Sequence, residues 1–287
     1  MMPFLLERGI IILINIIGGT MEHHIQNKIY HVEILPPKQA VTIEKLHEGL
    51  KRFAAKYNRV MEDGRCACIT DNAMGLLAFQ GAEVIEELKL KVNPEQVMIH
   101  LNTFHTKENL DEILNSCISL GIKYLLVISG DGSDRLPKLQ PSDVGAVGVE
   151  AVTSVELTQY ILREYPGKFV IGVAFNPYEP AEHEFEKLDR KIAAGSTFIV
   201  TQPIIEQNAV VDKMLIDYPN MPTIVEAWMS KKLSLLSDAV GYEIPEETIF
   251  DPIAILGKLH ELYPNCGVYL SLLGFKYQIN KIEGLWK

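Results

Sequence analysis

Glu33 stands in an otherwise apolar run, flanked by Val32, Ile34 and Leu35. Taking a carboxylate out of water is costly, and burial raises its pKa toward that of a general acid. A glutamate on the wet face of an alternating strand is the other reading of the same residues. Polar residues close most of the other apolar runs too: Thr70-Asp71-Asn72, His100 with Asn102, Ser129-Gly130-Asp131, Asn176, Thr201-Gln202, Glu226 with Trp228, and Ser271. Asp131 lies between two glycines, in a turn that either brings one carboxylate close to a ligand or is an ordinary surface turn. His100, inside Val97 to Leu101, is of the type more often found as a satisfied core histidine. His105 follows it without an acidic or cysteine partner at metal-ligand spacing, so no metal site is expected. Glu184 falls near Lys187 and Lys191 on one helix face, the pattern of a solvated ion pair.

Positioning these residues requires a repeated strand–helix unit. From Tyr30 onward, short β-branched runs alternate with longer amphipathic segments, which is the pattern of βα units around a parallel sheet. Eight strands are expected, at residues 30–35, 65–70, 97–102, 124–129, 169–174, 197–201, 223–227 and 267–271. The third helix opens at Thr106, with acids in its first turn, repeats Leu110, Ile113, Leu114 and Cys117 at helical spacing, and stops at Gly121. The helix before the sixth strand carries Phe185, Leu188 and Ile192 and stops at Gly195. An open doubly wound sheet would place a glycine-rich turn after its first strand. Pro36-Pro37-Lys38 stands there instead, and prolines offer no row of N–H groups to a pyrophosphate. Closure into a (β/α)8 TIM barrel is therefore expected over residues 26–287, with the chemistry at the C-terminal ends of the strands.

The composition fits such a domain: 287 residues, 47% hydrophobic and 22% charged. A net charge of −10 without a clustered basic face argues against a nucleic-acid partner and for a small molecule. Residues 4–17 are apolar but interrupted by Glu7 and Arg8; the uninterrupted stretch is too short to cross a membrane, and no basic region or cleavage site marks a signal peptide. Residues 1–25 are read as an extension outside the fold. Cys66, Cys68, Cys117 and Cys266 show no Cys-x2-Cys pairs and are expected as reduced structural thiols of a cytoplasmic protein.

An ordered series of blocks resembles the methylenetetrahydrofolate reductase family over nearly the whole of residues 30–285. His31-Val-Glu33-Ile-Leu-Pro36-Pro37-Lys38 is similar to that family's opening Phe-Glu-Phe-Phe-Pro-Pro-Lys/Arg. His100-Leu-Asn-Thr103 resembles its His-Leu-Thr-Cys, and Ile128-Ser-Gly-Asp131 its Leu-Arg-Gly-Asp. Residues 171–174 and 191–202, ending in Thr201-Gln202, are similar to its Gly-Val-Ala…Lys-Val-Asp-Ala-Gly-Ala…Thr-Gln.

The resemblance implies a barrel that uses a flavin, FAD or alternatively FMN, to reduce 5,10-methylene-tetrahydrofolate or a related tetrahydropterin to the 5-methyl form, in one-carbon metabolism and methionine biosynthesis. It makes Glu33 the acid that protonates the pterin and Asp131 the carboxylate beside flavin and folate, both catalytic and substrate-binding, and Gln202 the pterin contact. Thr70, His100, Ser129, Asp131, Ala174, Asn176, Glu184 and Lys191 fall on flavin-binding positions. Electrons would come from a nicotinamide nucleotide or a donor protein, and exposed barrel helices are compatible with a homo-oligomer. Departures gather on the flavin side. Ser129 replaces an arginine, Asn176 a tyrosine, and Thr70-Asp71-Asn72 the family's Thr-Tyr-Gly, with Asp71 expected to add charge near a dinucleotide. One lost bidentate phosphate contact weakens binding by about 1.5 to 3 kcal/mol. The alternative is a flavin-free folate-binding or methyl-transferring barrel, or, less favoured, an interaction subunit of a one-carbon complex.

Overall fold

Each β-branched run forms a strand and each amphipathic run a helix on its outer face. The computed structural model describes residues 21–39, 41–132 and 135–285. In chain order the elements are β1 (His31–Ile34), α1 (Ile43–Glu62), β2 (Cys66–Ile69), α2 (Gly81–Glu87), β3 (Val97–Leu101), α3 (Lys107–Leu120), β4 (Tyr124–Val127), α4 (Ser154–Glu164), β5 (Val170–Phe175), α5 (Ala181–Ala193), β6 (Phe198–Pro203), α6 (Ala209–Asp217), β7 (Thr223–Trp228), α7 (Leu233–Val240), α8 (Pro252–Leu262) and β8 (Gly267–Ser271). The strands pair in parallel in sequence order, and β1 closes on β8. The expected (β/α)8 barrel is thus observed.

Strand alternation sorts the core in two. Val32, Ile34, Ala67, Ile69, Leu125, Val127, Ile171 and Val173 face the helices and join one large cluster with Phe53, Leu114 and Ile161. Cys66, Cys68, Met98, Tyr124, Leu126, Val170, Phe198, Val200, Ile224 and Tyr269 fill the barrel interior. Gly172 is required there, because a Cβ would lie 2.0 Å from the Phe198 ring. The helix starts carry the caps that their sequences offer. Thr106 accepts from the Asn109 N–H, and Gly121 closes α3 at φ 74°. Thr153 and Glu156 form a capping box on α4, and Asp251 with Pro252 opens α8. α5 ends at Ala193 with Ala194 as its C-cap, and Gly195 follows at φ 108°.

Residues 1–20 of the expected extension lie outside the described residues. Residues 21–25 belong to the barrel, contrary to expectation: Met21 and His24 are fully buried at its N-terminal end, where the interior apolar surface needs a floor. Among the described residues no helix is long and apolar enough to cross a membrane.

Candidate active site

The alternation that puts Cys66 and Ile224 inside the barrel also carries polar side chains to its C-terminal mouth. From β8, the Tyr269 hydroxyl lies 3.3 Å from Glu33 Oε2 and 3.4 Å from His100 Nε2. The Leu272 N–H, just past β8 at a left-handed φ of 52°, donates to Glu33 Oε1 at 3.2 Å. Burial raises the Glu33 pKa, and the Leu272 N–H, the Tyr269 hydroxyl and the Lys56 charge offset this only in part. Glu226, on β7, is pushed up to about 8, first by burial and then by the Glu33 charge, against a hydrogen bond from Ser271. Burial lowers His100 to about 4 although Asp71 pulls the other way. Burial, followed by the Glu33 charge, lifts the Tyr269 phenol well above its usual value. At neutral pH this sector keeps protons on Glu226 and Tyr269, and holds His100 as a neutral imidazole. Two buried polar atoms on the same rim, Thr70 Oγ1 and Trp228 Nε1, have no hydrogen-bond partner among the described residues. An unsatisfied buried donor costs about 1 to 3 kcal/mol, which a bound molecule can recover.

The β2–β3 sector of the rim is built differently. Asp71 Oδ2 accepts from the Asn102 N–H at 2.8 Å and lies 2.7 Å from His105 Nε2, while Oδ1 accepts from Asn72 and Gln80. Its side chain is 1% exposed. Asp71 therefore knits the β2 and β3 loops together and does not project charge toward a cofactor, as the sequence suggested. Asn102 and Asn72 extend the network, accepting from the Phe104 and Ala78 N–H groups at 2.7 and 2.9 Å. Asp131 is exposed beyond β4 and accepts from the Met74 N–H at 3.0 Å, holding a loop in which Asn72 and Met74 both have positive φ. No hydrogen bond joins Asp131 to Glu33 among the described residues. A cavity of about 530 Å³ opens beside this sector, between α2 and α3, with Asn72 and His105 in its lining.

Around β5, Glu184 and Lys191 are buried and not solvated. Lys191 Nζ donates to the Ala174 carbonyl at 2.6 Å, Glu184 Oε1 accepts from the Asn176 N–H at 2.9 Å, and Lys187 Nζ lies 2.7 Å from Glu184 Oε2. These residues pin the end of β5 because α5 packs directly on it. The Asn176 side chain serves its own turn, bonding Glu179 and the Tyr178 N–H. Ser129 is exposed, and its carbonyl accepts from the Thr103 hydroxyl at 2.8 Å. Gln202 is half-buried where β6 bulges between Val200 and Pro203. The structure thus brings Glu33 and His100 together through Tyr269 and leaves Asp131 apart. Two residues of this site carry weak signals in the sequence. Glu226 breaks an apolar run just as Glu33 does, so its signal was present; Tyr269 passes for an ordinary strand aromatic, and only barrel closure puts it beside β1.

The family model described as "Methylenetetrahydrofolate reductase" matches residues 20–270. Among curated proteins, the chain is similar to methylenetetrahydrofolate reductase 2 of Schizosaccharomyces pombe, at 23% identity over 76% of this chain and 36% of that protein. It is also similar to methylenetetrahydrofolate reductase (NADH) 1 of Zea mays, at 27% identity over 60% of this chain and 30% of that protein. The chain therefore spans about a third of the length of these relatives. Among solved structures, an uncharacterized protein from Clostridium thermocellum that binds two copies of 5-methyl-5,6,7,8-tetrahydrofolic acid superimposes with a TM-score of 0.59, at 16% identity and covering 93% of this chain and 98% of that one. A putative phosphonomutase from Burkholderia cenocepacia superimposes with a TM-score of 0.51 at 12% identity, covering 94% and 97%. At such identities these two likenesses concern the fold alone.

Proposed function

Because the chain belongs to the methylenetetrahydrofolate reductase family, we propose that it binds a tetrahydrofolate or related tetrahydropterin at the barrel mouth and reduces the 5,10-methylene form to the 5-methyl form. The observation that carries this reading is Glu33. It is a carboxyl with a raised pKa, held by the Tyr269 hydroxyl and the Leu272 N–H at the end of the barrel where such folds do their chemistry. Its proton passes to a pterin nitrogen as the methylene bridge opens, while a hydride converts the one-carbon unit to a methyl group. Tyr269 orients the carboxyl, neutral His100 orients Tyr269, and protonated Glu226 keeps a second negative charge out of the pocket. Thr70 Oγ1 and Trp228 Nε1 are free to bond a polar heterocycle. The binding of 5-methyltetrahydrofolic acid by the Clostridium thermocellum protein of like fold is consistent with this ligand class.

A flavin's ring fits the residues at the mouth: the unpartnered Thr70 hydroxyl, His100 and the Ala174 edge would hold it, and bound there it would supply the hydride. Its phosphates find less. Lys191 is spent on the Ala174 carbonyl, and Ser129 offers no cation. That observation favours a second reading, a flavin-free barrel that binds the tetrahydropterin or transfers its methyl group. The test is the visible absorption spectrum of the purified protein, before and after incubation with FAD or FMN and removal of unbound cofactor, paired with tetrahydrofolate binding. Retained flavin bands and turnover that Glu33→Gln abolishes support reduction. A colourless protein that still binds tetrahydrofolate supports the second reading, and failure to bind any tetrahydropterin overturns both.

A further inference from the structure

The floor of the barrel, at the end away from Glu33, gathers three donor side chains that the proposed chemistry does not use. β1 and β2 pair with His31 opposite Cys66, so both side chains point into the interior at the same level. The helical turn over residues 21–26 passes beneath and sets His24 Nδ1 3.1 Å from His31 Nε2, with the ring centroids 5.1 Å apart. One ligand atom from each of His24, His31 and Cys66 fits within 4.8 Å of the others, and all three residues are fully buried.

Two imidazoles in this arrangement share one N–H···N bond. Among the described residues, the other ring nitrogens meet no side-chain partner and only the backbone of Glu95, beside His24, and of Val268, beside His31, in a space closed by Met21 and Tyr124. A dry apolar floor would be built from leucine or valine; two imidazoles and a thiol there carry a desolvation cost that a bound cation would offset. Two nitrogens and a sulfur form a borderline-soft donor set that suits Zn²⁺ or Cu⁺ and disfavours Mg²⁺ or Ca²⁺. Metal–ligand bonds of about 2.0 to 2.3 Å put neighbouring ligand atoms roughly 3.3 to 3.8 Å apart, so small side-chain shifts suffice. The Tyr124 ring lies 5.2 Å from His24, and its hydroxyl bonds the Glu95 carboxylate at 2.7 Å, which is itself ion-paired with Lys123.

We propose that His24, His31 and Cys66 form a structural site for a thiophilic metal ion, Zn²⁺ foremost, that fastens the segment before β1 to the first two strands. The ion adds a covalent-strength link where the helical turn otherwise meets the strands through the His24–His31 hydrogen bond and apolar packing, and it leaves the mouth of the barrel untouched. This assignment is independent of the tetrahydropterin reading.

The test uses the full chain, stripped with a chelator and titrated with Zn²⁺ alone, then with Co²⁺ as a spectroscopic stand-in and with Cu⁺ under anaerobic conditions. Retention of one Zn²⁺ per chain after desalting is expected, with a rise in the thermal unfolding midpoint and a thiolate-to-cobalt charge-transfer band in the Co²⁺ form. Cys66→Ala and His24→Phe should each weaken binding at least a hundredfold, whereas Cys266→Ala should leave it unchanged. Preferential retention of Cu⁺ keeps the site and changes its ion. Absence of both metal retention and the charge-transfer band in the wild-type chain overturns the proposal, as does full binding by a folded Cys66→Ala chain. Because the wild-type spectrum itself requires a thiolate ligand, the test stands even where a variant fails to fold.

Discussion

Two carboxylates, Glu33 half-buried and Asp71 buried, sit on neighbouring strands at the same rim, and their surroundings are opposite. Asp71, after β2, has a partner for each lone-pair direction: the Asn102 N–H, His105, Asn72 and Gln80. Glu33, on β1, has one backbone N–H and one hydroxyl, both at or beyond 3.2 Å, and another carboxyl on β7 that its charge disturbs. A carboxylate satisfied on both oxygens is structural, because its lone pairs are taken up in holding neighbouring loops in place. An under-satisfied one is held away from its preferred state, and this is useful only when it has a proton to give. The difference teaches that withdrawal from water does not by itself mark a site, since Asp71, the more buried of the two, is the one fully bonded. What marks it is burial without sufficient partners, next to groups titrating in the same pocket.

The largest expected effect separates the two by activity. Glu33→Gln should lower reductase turnover by about 10² to 10⁴-fold, the usual contribution of a positioned general acid. The variant's denaturant midpoint should stay level or rise, since a desolvated carboxyl is replaced by a neutral isostere. Turnover unchanged in Glu33→Gln would remove the proton donor from the mechanism. Asp71→Ala should do the reverse, costing about 3 kcal/mol in denaturant unfolding by stranding the Asn102 N–H and His105. A midpoint within error of the wild type would show that the Asp71 network is dispensable and the comparison false.

Much of this contrast was legible before folding. Eight β-branched runs, the absence of a glycine-rich first turn and polar strand ends sufficed for the closed barrel, because strand period and helix period are written locally. Glu33 was visible for the same reason: one charge in an apolar run. Asp71 was misjudged because its partner His105 is 34 residues away, and neither residue alone says which way it turns. Glu184 and Lys191 share a helix face whose burial depends on how α5 docks on β5, so the pair looked solvated and is not. His24 follows an apolar segment that reads as lying outside the fold, and only the register of β1 on β2 puts His31 beside Cys66 above it.

A smaller effect tests the pocket's shared titration. The folded-state pKa of Glu226 is raised to about 8 from an ordinary 4.5. Across that interval the folded protein holds a proton that the unfolded chain has released, so unfolding free energy falls as pH rises. The full stability is present below pH of about 4.5 and is lost through pH of about 8, with a slope on the order of 1 kcal/mol per pH unit. Glu226→Gln should flatten this slope in denaturant titrations at pH 5, 6.5 and 8. A slope that persists unchanged would mean that another group carries it.

The finest test concerns Tyr269, whose hydroxyl lowers the Glu33 pKa by bonding its carboxylate form. Tyr269→Phe removes that bond and should raise the Glu33 pKa further, while costing only about 0.5 to 1.5 kcal/mol in stability. A proton donor works while it holds its proton, so turnover falls as pH rises through the Glu33 pKa. The alkaline limb of the pH–rate profile should therefore move to higher pH in Tyr269→Phe, by less than about one pH unit. Movement to lower pH would mean that Tyr269 bonds the protonated carboxyl, which would make the phenol a relay for the proton and His100 its next acceptor.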